Sequence, residues 1–220
     1  MKGVVVLLVL LVVFAGAEAR AGQTSLITQE EKVWLGQVWG RMAPQYRRFT
    51  PQPAPVLAVW NRPREVNFFY QPDHHRVLVT TAAMKVFHGQ DGEVAFFIGH
   101  ELGHALVQYA PQQSEKLLDL LRSLYLWPKG KGAPLSKRER ETVPDLWGLC
   151  LMSAGGYNAT DAAAGFGRMG MVNGTVYEWA ARGQVVARWL DAHPSDERRI
   201  SLLRRAASAG LVQHCRRVAR

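Results

Sequence analysis

Residues 91–109 read DGEVAFFIGHELGHALVQY, and the helix that they predict organises the rest of the chain. The apolar residues recur at spacings of three and four, which is the period of a helix with a buried face. Asp91 is the predicted N-cap, and the helix is expected to continue to Tyr109. Within it, His100 and His104 are four residues apart, so both side chains point the same way and can bind one metal ion.

Glu101 directly follows the first of these two histidines. In a His-Glu-x-x-His helix this glutamate lies beside the metal and can take a proton from a water molecule there. The chemistry indicated is zinc-assisted hydrolysis of an amide bond. A five-residue pattern also arises by chance, so the interpretation depends on a third metal ligand elsewhere in the sequence.

A catalytic zinc ion takes three protein ligands and keeps one position open. One subclass uses a third histidine six residues after the second, but this chain has Ala110 there and Val107 where that pattern needs glycine. The remaining source is a glutamate from a second helix. Glu141 and Asp145 are one turn apart on one helical face. Glu141 can therefore bind zinc while Asp145 holds the outer nitrogen of a ligand histidine.

A second interpretation of Glu141 stays open at this point. Glu139 and Glu141 alternate with arginines, and such a run is more often an exposed, salt-bridged first turn of a helix. The spacing is compatible with either role. Pro144 indicates a helix start here, because proline in the first turn loses no intrahelical hydrogen bond.

The beginning of the chain has the pattern of a secretory signal peptide. A positive charge precedes eleven consecutive apolar residues, Val4 to Phe14, and small residues that offer cleavage sites follow. This run is short for a membrane span, with a signal anchor extended through Ala17 as the alternative. We predict a signal peptide at residues 1–21, a single domain at residues 22–220, and a soluble periplasmic or secreted protein.

The charge of the chain is strongly basic. Its 220 residues carry a formal net charge of +9, with seven arginines from position 198 onward. This is typical of a solvated helical surface, and peripheral contact with an anionic membrane is the alternative. No nucleic-acid-binding motif is present, so nucleic acid is not an expected partner.

Cys150 and Cys215 are the two cysteines of the sequence. In an oxidising compartment they can form one disulfide. Alternatively, Cys150 is a buried free thiol, since it lies between two leucines in an apolar helical stretch.

The remaining periodicity predicts an α+β protein that is predominantly helical. A capping box formed by Thr28 and Glu31 starts a first helix that ends near Met42. Short β-rich runs follow, and the last two are expected to pair in an antiparallel manner. The predicted strands are residues 56–60, 66–70 and 76–81, and the later helices are 114–126, 137–155, 160–169, 176–191 and 195–209.

The chain resembles the HtpX-like and CAAX prenyl protease family of zinc metallopeptidases, in particular its small exported members. The family's zinc motif corresponds to His100–His104, and its Glu-x-x-Ala-Asp signature to Glu141–Asp145, with Pro144 in place of alanine. Its Asn-Ala-Phe segment corresponds to Asn67–Phe69, with phenylalanine in place of alanine. Its His-Pro-Ser-x-x-x-Arg-Ile pattern corresponds to His193–Ile200.

The resemblance implies a zincin-like (gluzincin) fold and one Zn²⁺ per chain, bound by His100, His104 and Glu141. It also implies that His193 lies at the zinc face and steadies the oxyanion, while Arg199 supports the site. A small antiparallel sheet is expected to flank the active-site helix with its edge strand, and an extended polypeptide substrate would pair with that strand.

The run Arg76–Thr81 resembles this edge strand. The expected substrate-binding residues are Asn67, Val77, Leu78, Val79 and Thr80. Four other histidines are expected to be ordinary solvated side chains: His74, His75, His88 and His214.

The expected function is zinc-dependent endopeptidase activity on unfolded or misfolded envelope proteins. Two alternatives from other classes remain. The chain would otherwise be a catalytically inactive zinc-binding or chaperone-like envelope protein, or a basic membrane-surface protein in which the motif is accidental.

Overall fold

A computed structural model describes residues 27–126, 130, 136–180 and 197–218. The helices are α1 (Gln29–Tyr46), α2 (Thr81–Phe87), α3 (Asp91–Tyr109), α4 (Pro111–Ser123), α5 (Lys137–Ala154), α6 (Asp161–Ala180), α7 (Glu197–Ser208) and α8 (Leu211–Val218). The strands are β1 (Val56–Trp60), β2 (Phe68–Gln71) and β3 (Arg76–Thr80). The prediction of a mostly helical α+β protein is confirmed, and none of the described helices is both long and apolar enough to cross a bilayer. The predicted signal peptide lies outside the described residues.

Helix α3 is the centre of the fold, and its bounds are those predicted from the sequence. Every residue from Gly92 to Gly103 is buried, because α1, α5, α6 and the sheet surround this part of the helix. Asp91 is the first helical residue and not the N-cap, a position that Gln90 occupies. The Asp91 carboxylate instead accepts a hydrogen bond of 2.6 Å from the indole of Trp34 on α1.

Helices α3 and α5 touch through glycines. A Cβ added to Gly99 would lie 3.0 Å from the Cα of Gly148, and one added to Gly103 would lie 2.8 Å from the Cα of Pro144. These separations leave no room for a side chain, so the glycines allow the two backbones to meet. The close approach places Glu141, near the start of α5, beside the histidines of α3.

Several predicted helix boundaries differ from the structure. Pro144 lies inside α5, which already begins at Lys137, and not in its first turn as predicted. The sequence reasoning also missed α2 and α8 and ended the helix that starts near residue 160 too early. The predicted helix at 176–191 is the end of α6 up to Ala180, and its remainder lies outside the described residues.

The sheet has the strand order β1-β3-β2. The β2–β3 pairing is antiparallel as predicted, whereas β1 and β3 are parallel, so the sheet is mixed. Strand β3 is therefore the central strand, and the expectation that Arg76–Thr81 forms the edge is wrong. The physical reason is that both sides of β3 are already hydrogen-bonded to neighbouring strands, and Val77–Thr80 are all buried.

Cys150 of α5 and Cys215 of α8 form a disulfide, so the predicted bridge is present and the buried-thiol alternative is wrong. Both side chains are 1 % exposed. Nearby, Arg216 donates from Nε to the carbonyl of Ser153 across 3.2 Å. These contacts fasten the C-terminal helix to the same helix that carries Glu141.

Candidate metal centre and active site

His100, His104 and Glu141 bring three potential ligand atoms into a small triangle. The Nε2 atoms of the two histidines are 3.1 Å apart. Glu141 Oε2 lies 3.4 Å from Nε2 of His100 and 3.6 Å from Nε2 of His104. Ligand atoms at 2.0–2.1 Å from a tetrahedral zinc ion are separated by ~3.3 Å. The donor set and its spacing therefore fit one Zn²⁺, and no other such group of His, Cys, Asp or Glu occurs in the described part of the chain.

The orientation of His100 is fixed by Asp145. Nδ1 of His100 donates to Oδ1 of Asp145 across 2.8 Å, which leaves Nε2 with the lone pair that a metal needs. Burial is the largest influence on the pKa of His100 and lowers it, but hydrogen bonds to Asp145 and Glu141 outweigh burial and raise the pKa to about 9. Asp145 therefore occupies the position that the sequence predicted for it.

Arg199 of α7 holds Asp145 in turn. Its Nε donates to Oδ2 of Asp145 and its Nη2 donates to Oδ1, both across 2.7 Å. The two residues are 4 % and 2 % exposed. Burial alone would raise the pKa of Asp145, but Arg199 and then His100 keep it below its usual range. Buried hydrogen bonds from Arg199 to Asp145 and on to His100 thus orient His100 and join α7 to the metal centre.

Glu101 lies on α3 next to the three candidate ligands and is 1 % exposed. Its Oε2 accepts a hydrogen bond of 2.8 Å from the backbone N–H of Tyr70 on β2. Sequence reasoning missed Tyr70. The one available signal was its place in the chain, directly after the Asn67–Phe69 segment that carries the family resemblance.

Among the described strands, β2 and not β3 lies at the edge of the sheet beside Glu101. Thr80 N–H donates to the carbonyl of Asn67. In an antiparallel pair every second residue of a strand bonds to its partner strand, and the residues between them direct their N–H and C=O groups outward. The N–H of Tyr70 accordingly faces away from β3, where it meets Glu101. Of the predicted substrate-binding residues, Asn67 pairs with Thr80, and Val77, Leu78 and Val79 lie in the central strand. None of these residues of β3 can receive a substrate strand.

The other histidines differ in their surroundings. His74 and His88 are exposed, as predicted. His75 is not an ordinary solvated histidine, because both ring nitrogens are hydrogen-bonded within the protein. His214 is partly buried beside the disulfide. His193 lies outside the described residues.

A His-Glu-x-x-His helix completed by a glutamate from a second helix is the kind of centre found in metal-dependent hydrolases. Residues 29–127 match the sequence profile of Peptidase family M48. The chain is also 28 % identical to the mitochondrial metalloendopeptidase OMA1 of Arabidopsis thaliana over 154 residues, which cover 64 % of this chain and 29 % of that protein. No solved structure matches the chain significantly.

Residues 29–127 of the chain are therefore similar to peptidase family M48, whose members are metal-dependent peptidases. The match agrees with the family resemblance indicated by the sequence. The family match contains His100, Glu101 and His104 but ends before Glu141. The assignment of Glu141 therefore depends on the geometry described above. The chain spans under a third of the length of the plant relative.

Proposed function

We propose that this chain is a zinc-dependent metalloendopeptidase. His100, His104 and Glu141 hold one Zn²⁺, and Glu101 is the general base and acid. The observation that carries the proposal is the triangle of three ligand atoms, no side longer than 3.6 Å, with the buried carboxylate of Glu101 next to it.

Zn²⁺ in such a site polarises the scissile carbonyl and lowers the pKa of water towards ~7. Glu101 takes the proton from the attacking water and delivers it to the leaving nitrogen. The hydrogen bond from Tyr70 N–H restrains its carboxylate, so the base is oriented before substrate binds. His193 is assigned the role of steadying the oxyanion on the sequence resemblance alone.

The substrate is proposed to be an extended polypeptide that pairs with the free edge of β2. Backbone hydrogen bonds of this kind depend little on sequence and require an unfolded segment. This supports a role in the breakdown of unfolded or misfolded proteins. With the predicted signal peptide, the place of action would be the cell envelope, and the basic C-terminal helices would allow peripheral contact with anionic lipid.

The alternative of an inactive zinc-binding or chaperone-like protein has less support. A structural zinc site is closed by four protein ligands, whereas the described cluster supplies three. Glu101 also has no metal-binding role in such a site, yet it is buried and oriented beside the cluster.

The test is cleavage of casein by purified zinc-loaded protein. Glu101→Gln should keep the bound zinc and lose activity by a factor of about 10²–10⁴, because it removes proton transfer and leaves the ligands intact. Glu30→Gln is the matched control, since Glu30 is exposed on α1. Cleavage by Glu101→Gln at the wild-type rate would refute the proposed mechanism.

A further inference from the structure

His75 has a backbone conformation that is uncommon for residues other than glycine. Its φ of 45° and ψ of 56° place it in the left-handed region, in the turn between β2 and β3. Residues other than glycine rarely adopt this conformation, and asparagine tolerates it better than most. The turn therefore favours the few residue types that tolerate this conformation, and histidine is one of them.

The imidazole of His75 bridges two separate segments. Its Nε2 is 2.9 Å from the carbonyl oxygen of Pro53, and its Nδ1 is 2.9 Å from the hydroxyl of Tyr70. A carbonyl oxygen only accepts, so Nε2 carries the proton and Nδ1 accepts from the Tyr70 hydroxyl. Both nitrogens of a neutral ring are thereby satisfied, and the side chain of Tyr70 is tied to the chain before β1.

Tyr109, the last residue of α3, closes the cluster from the helix side. Its ring lies edge-on to His75, with centroids 5.2 Å apart. Burial is the main cause that raises the pKa of Tyr70, and the nearby Tyr109 adds to it, so the Tyr70 phenol remains a neutral donor. The three side chains join β2, the turn and the end of α3.

The backbone of the same Tyr70 contacts Glu101. Strand β2 has four residues and lies at the edge of the sheet, and within the described residues no strand pairs with its outer side. His75 contacts the ring and hydroxyl of Tyr70 and is itself packed against Tyr109, and the N–H of Tyr70 donates to Oε2 of Glu101 across 2.8 Å. These side chains therefore restrain the proposed base through the peptide group of Tyr70.

We propose that Tyr70, His75 and Tyr109 form a clamp that positions the Glu101 carboxylate through the backbone N–H of Tyr70. His75 is a positioning residue in this scheme and does not touch the reacting atoms. The kinetic consequence rests on the proposed function, whereas the structural consequence is independent of it.

Two variants remove the clamp in different ways. His75→Asn keeps a residue that tolerates the left-handed turn, but the shorter side chain cannot bridge Pro53 and Tyr70. Tyr70→Phe removes the hydroxyl and keeps the backbone N–H. His74→Ala is the matched control, because it deletes an exposed imidazole from the same turn.

The first measurement is amide hydrogen exchange of residue 70 by NMR, with ¹⁵N label on tyrosine, or on phenylalanine for Tyr70→Phe. Wild-type and His74→Ala should exchange alike, and His75→Asn and Tyr70→Phe should exchange about tenfold faster, since loss of the clamp frees the edge strand. Glu101→Ala should give the same acceleration, because it removes the acceptor. Unchanged exchange in His75→Asn and Tyr70→Phe would overturn the clamp, whether or not the protein cleaves peptides.

The second measurement is peptide hydrolysis by the same zinc-loaded variants. His75→Asn and Tyr70→Phe should lower kcat about tenfold with KM and zinc content unchanged, since a displaced base affects the transition state and not binding. Faster exchange with an unchanged kcat would also overturn the inference. Absence of hydrolysis by the wild-type protein would count against the proposed function only, and the exchange result would still decide on the clamp.

Discussion

The helix pair α3–α5 and the hairpin β2–β3 meet at Glu101, but different forces hold them. Glycine contacts and the hydrogen bond between His100 and Asp145 hold α5 against α3, while a buried ion pair and a disulfide join α7 and α8 to α5. The hairpin depends on a three-stranded sheet and on hydrogen bonds around His75. The candidate ligands are therefore carried by two helices of the core, whereas the edge strand that we propose for substrate binding is held by few polar contacts. Changes in the helix pair should therefore reduce stability and metal binding together, and changes in the hairpin should mainly alter rate.

The largest effect is expected from Arg199→Met. The variant leaves the Asp145 carboxylate buried without its main cation, which typically costs about 3–5 kcal/mol of unfolding free energy. Misorientation of His100 should also weaken zinc binding by a factor of about 10–100. Urea unfolding and chelator competition measure the two effects. The control is Arg204→Met, which replaces an exposed arginine on the same helix. Equal stability of the two variants would contradict the claim that the ion pair supports the metal centre.

Removal of the disulfide should be the next largest effect. Cys150 and Cys215 are 65 residues apart, and closing a loop of that length stabilises the fold by about 4 kcal/mol in the chain-entropy estimate. The double variant Cys150→Ala with Cys215→Ala should unfold at correspondingly lower denaturant concentration. As a control, denatured wild-type protein should show no reactive thiol before reduction. Two reactive thiols per chain at that stage would contradict the bridge.

Gly103→Ala tests the contact between the two helices. The new methyl group would meet the backbone of Pro144 at 2.8 Å and the Cβ of Trp147 at 2.9 Å, so overpacking should cost about 1–3 kcal/mol and weaken zinc binding. Gly40→Ala on α1 is the matched control, since nothing lies within 4 Å of its Cβ. That variant should gain up to about 1 kcal/mol from helix propensity. Equal thermal stability of the two variants would show that the close approach is unimportant.

The pH dependence of zinc binding tests the metal centre without any substitution. Because His100 has a pKa of about 9, zinc must displace its proton at neutral pH. Raising the pH removes this competition, so affinity should increase about tenfold per pH unit from pH 7 and level off near pH 9. Asp145→Asn removes a contact that raises this pKa and should level off at lower pH. A flat wild-type affinity between these pH values would contradict the assignment of His100.

Local patterns predicted the helix pair better than the hairpin. The apolar period of α3 and the turn spacing of Glu141 and Asp145 are properties of continuous sequence, and the structure brings these residues together. The spacing alone was compatible with two roles for Glu141, a metal ligand or an exposed residue in the first turn of a helix. Its distances to His100 and His104 favour the ligand, and that information comes from packing between helices.

Strand order was not predicted, because it depends on which distant strand pairs with which. One signal was available: Val77-Leu78-Val79 is an uninterrupted apolar run, which is typical of a strand covered on both faces and not of an edge. The role of His75 had no comparable signal. Its partners Pro53 and Tyr109 are far from it in sequence, and only the folded chain brings them together.

The central claim is that Glu141 completes a zinc site with His100 and His104, and the zinc content of purified protein tests it most directly. Wild-type protein and the exposed-residue control Glu30→Ala should each bind one zinc ion per chain. His104→Ala and Glu141→Ala should lose it during dialysis against a weak chelator, because two remaining ligands bind zinc poorly. Retention of stoichiometric zinc by Glu141→Ala with wild-type affinity would contradict the account.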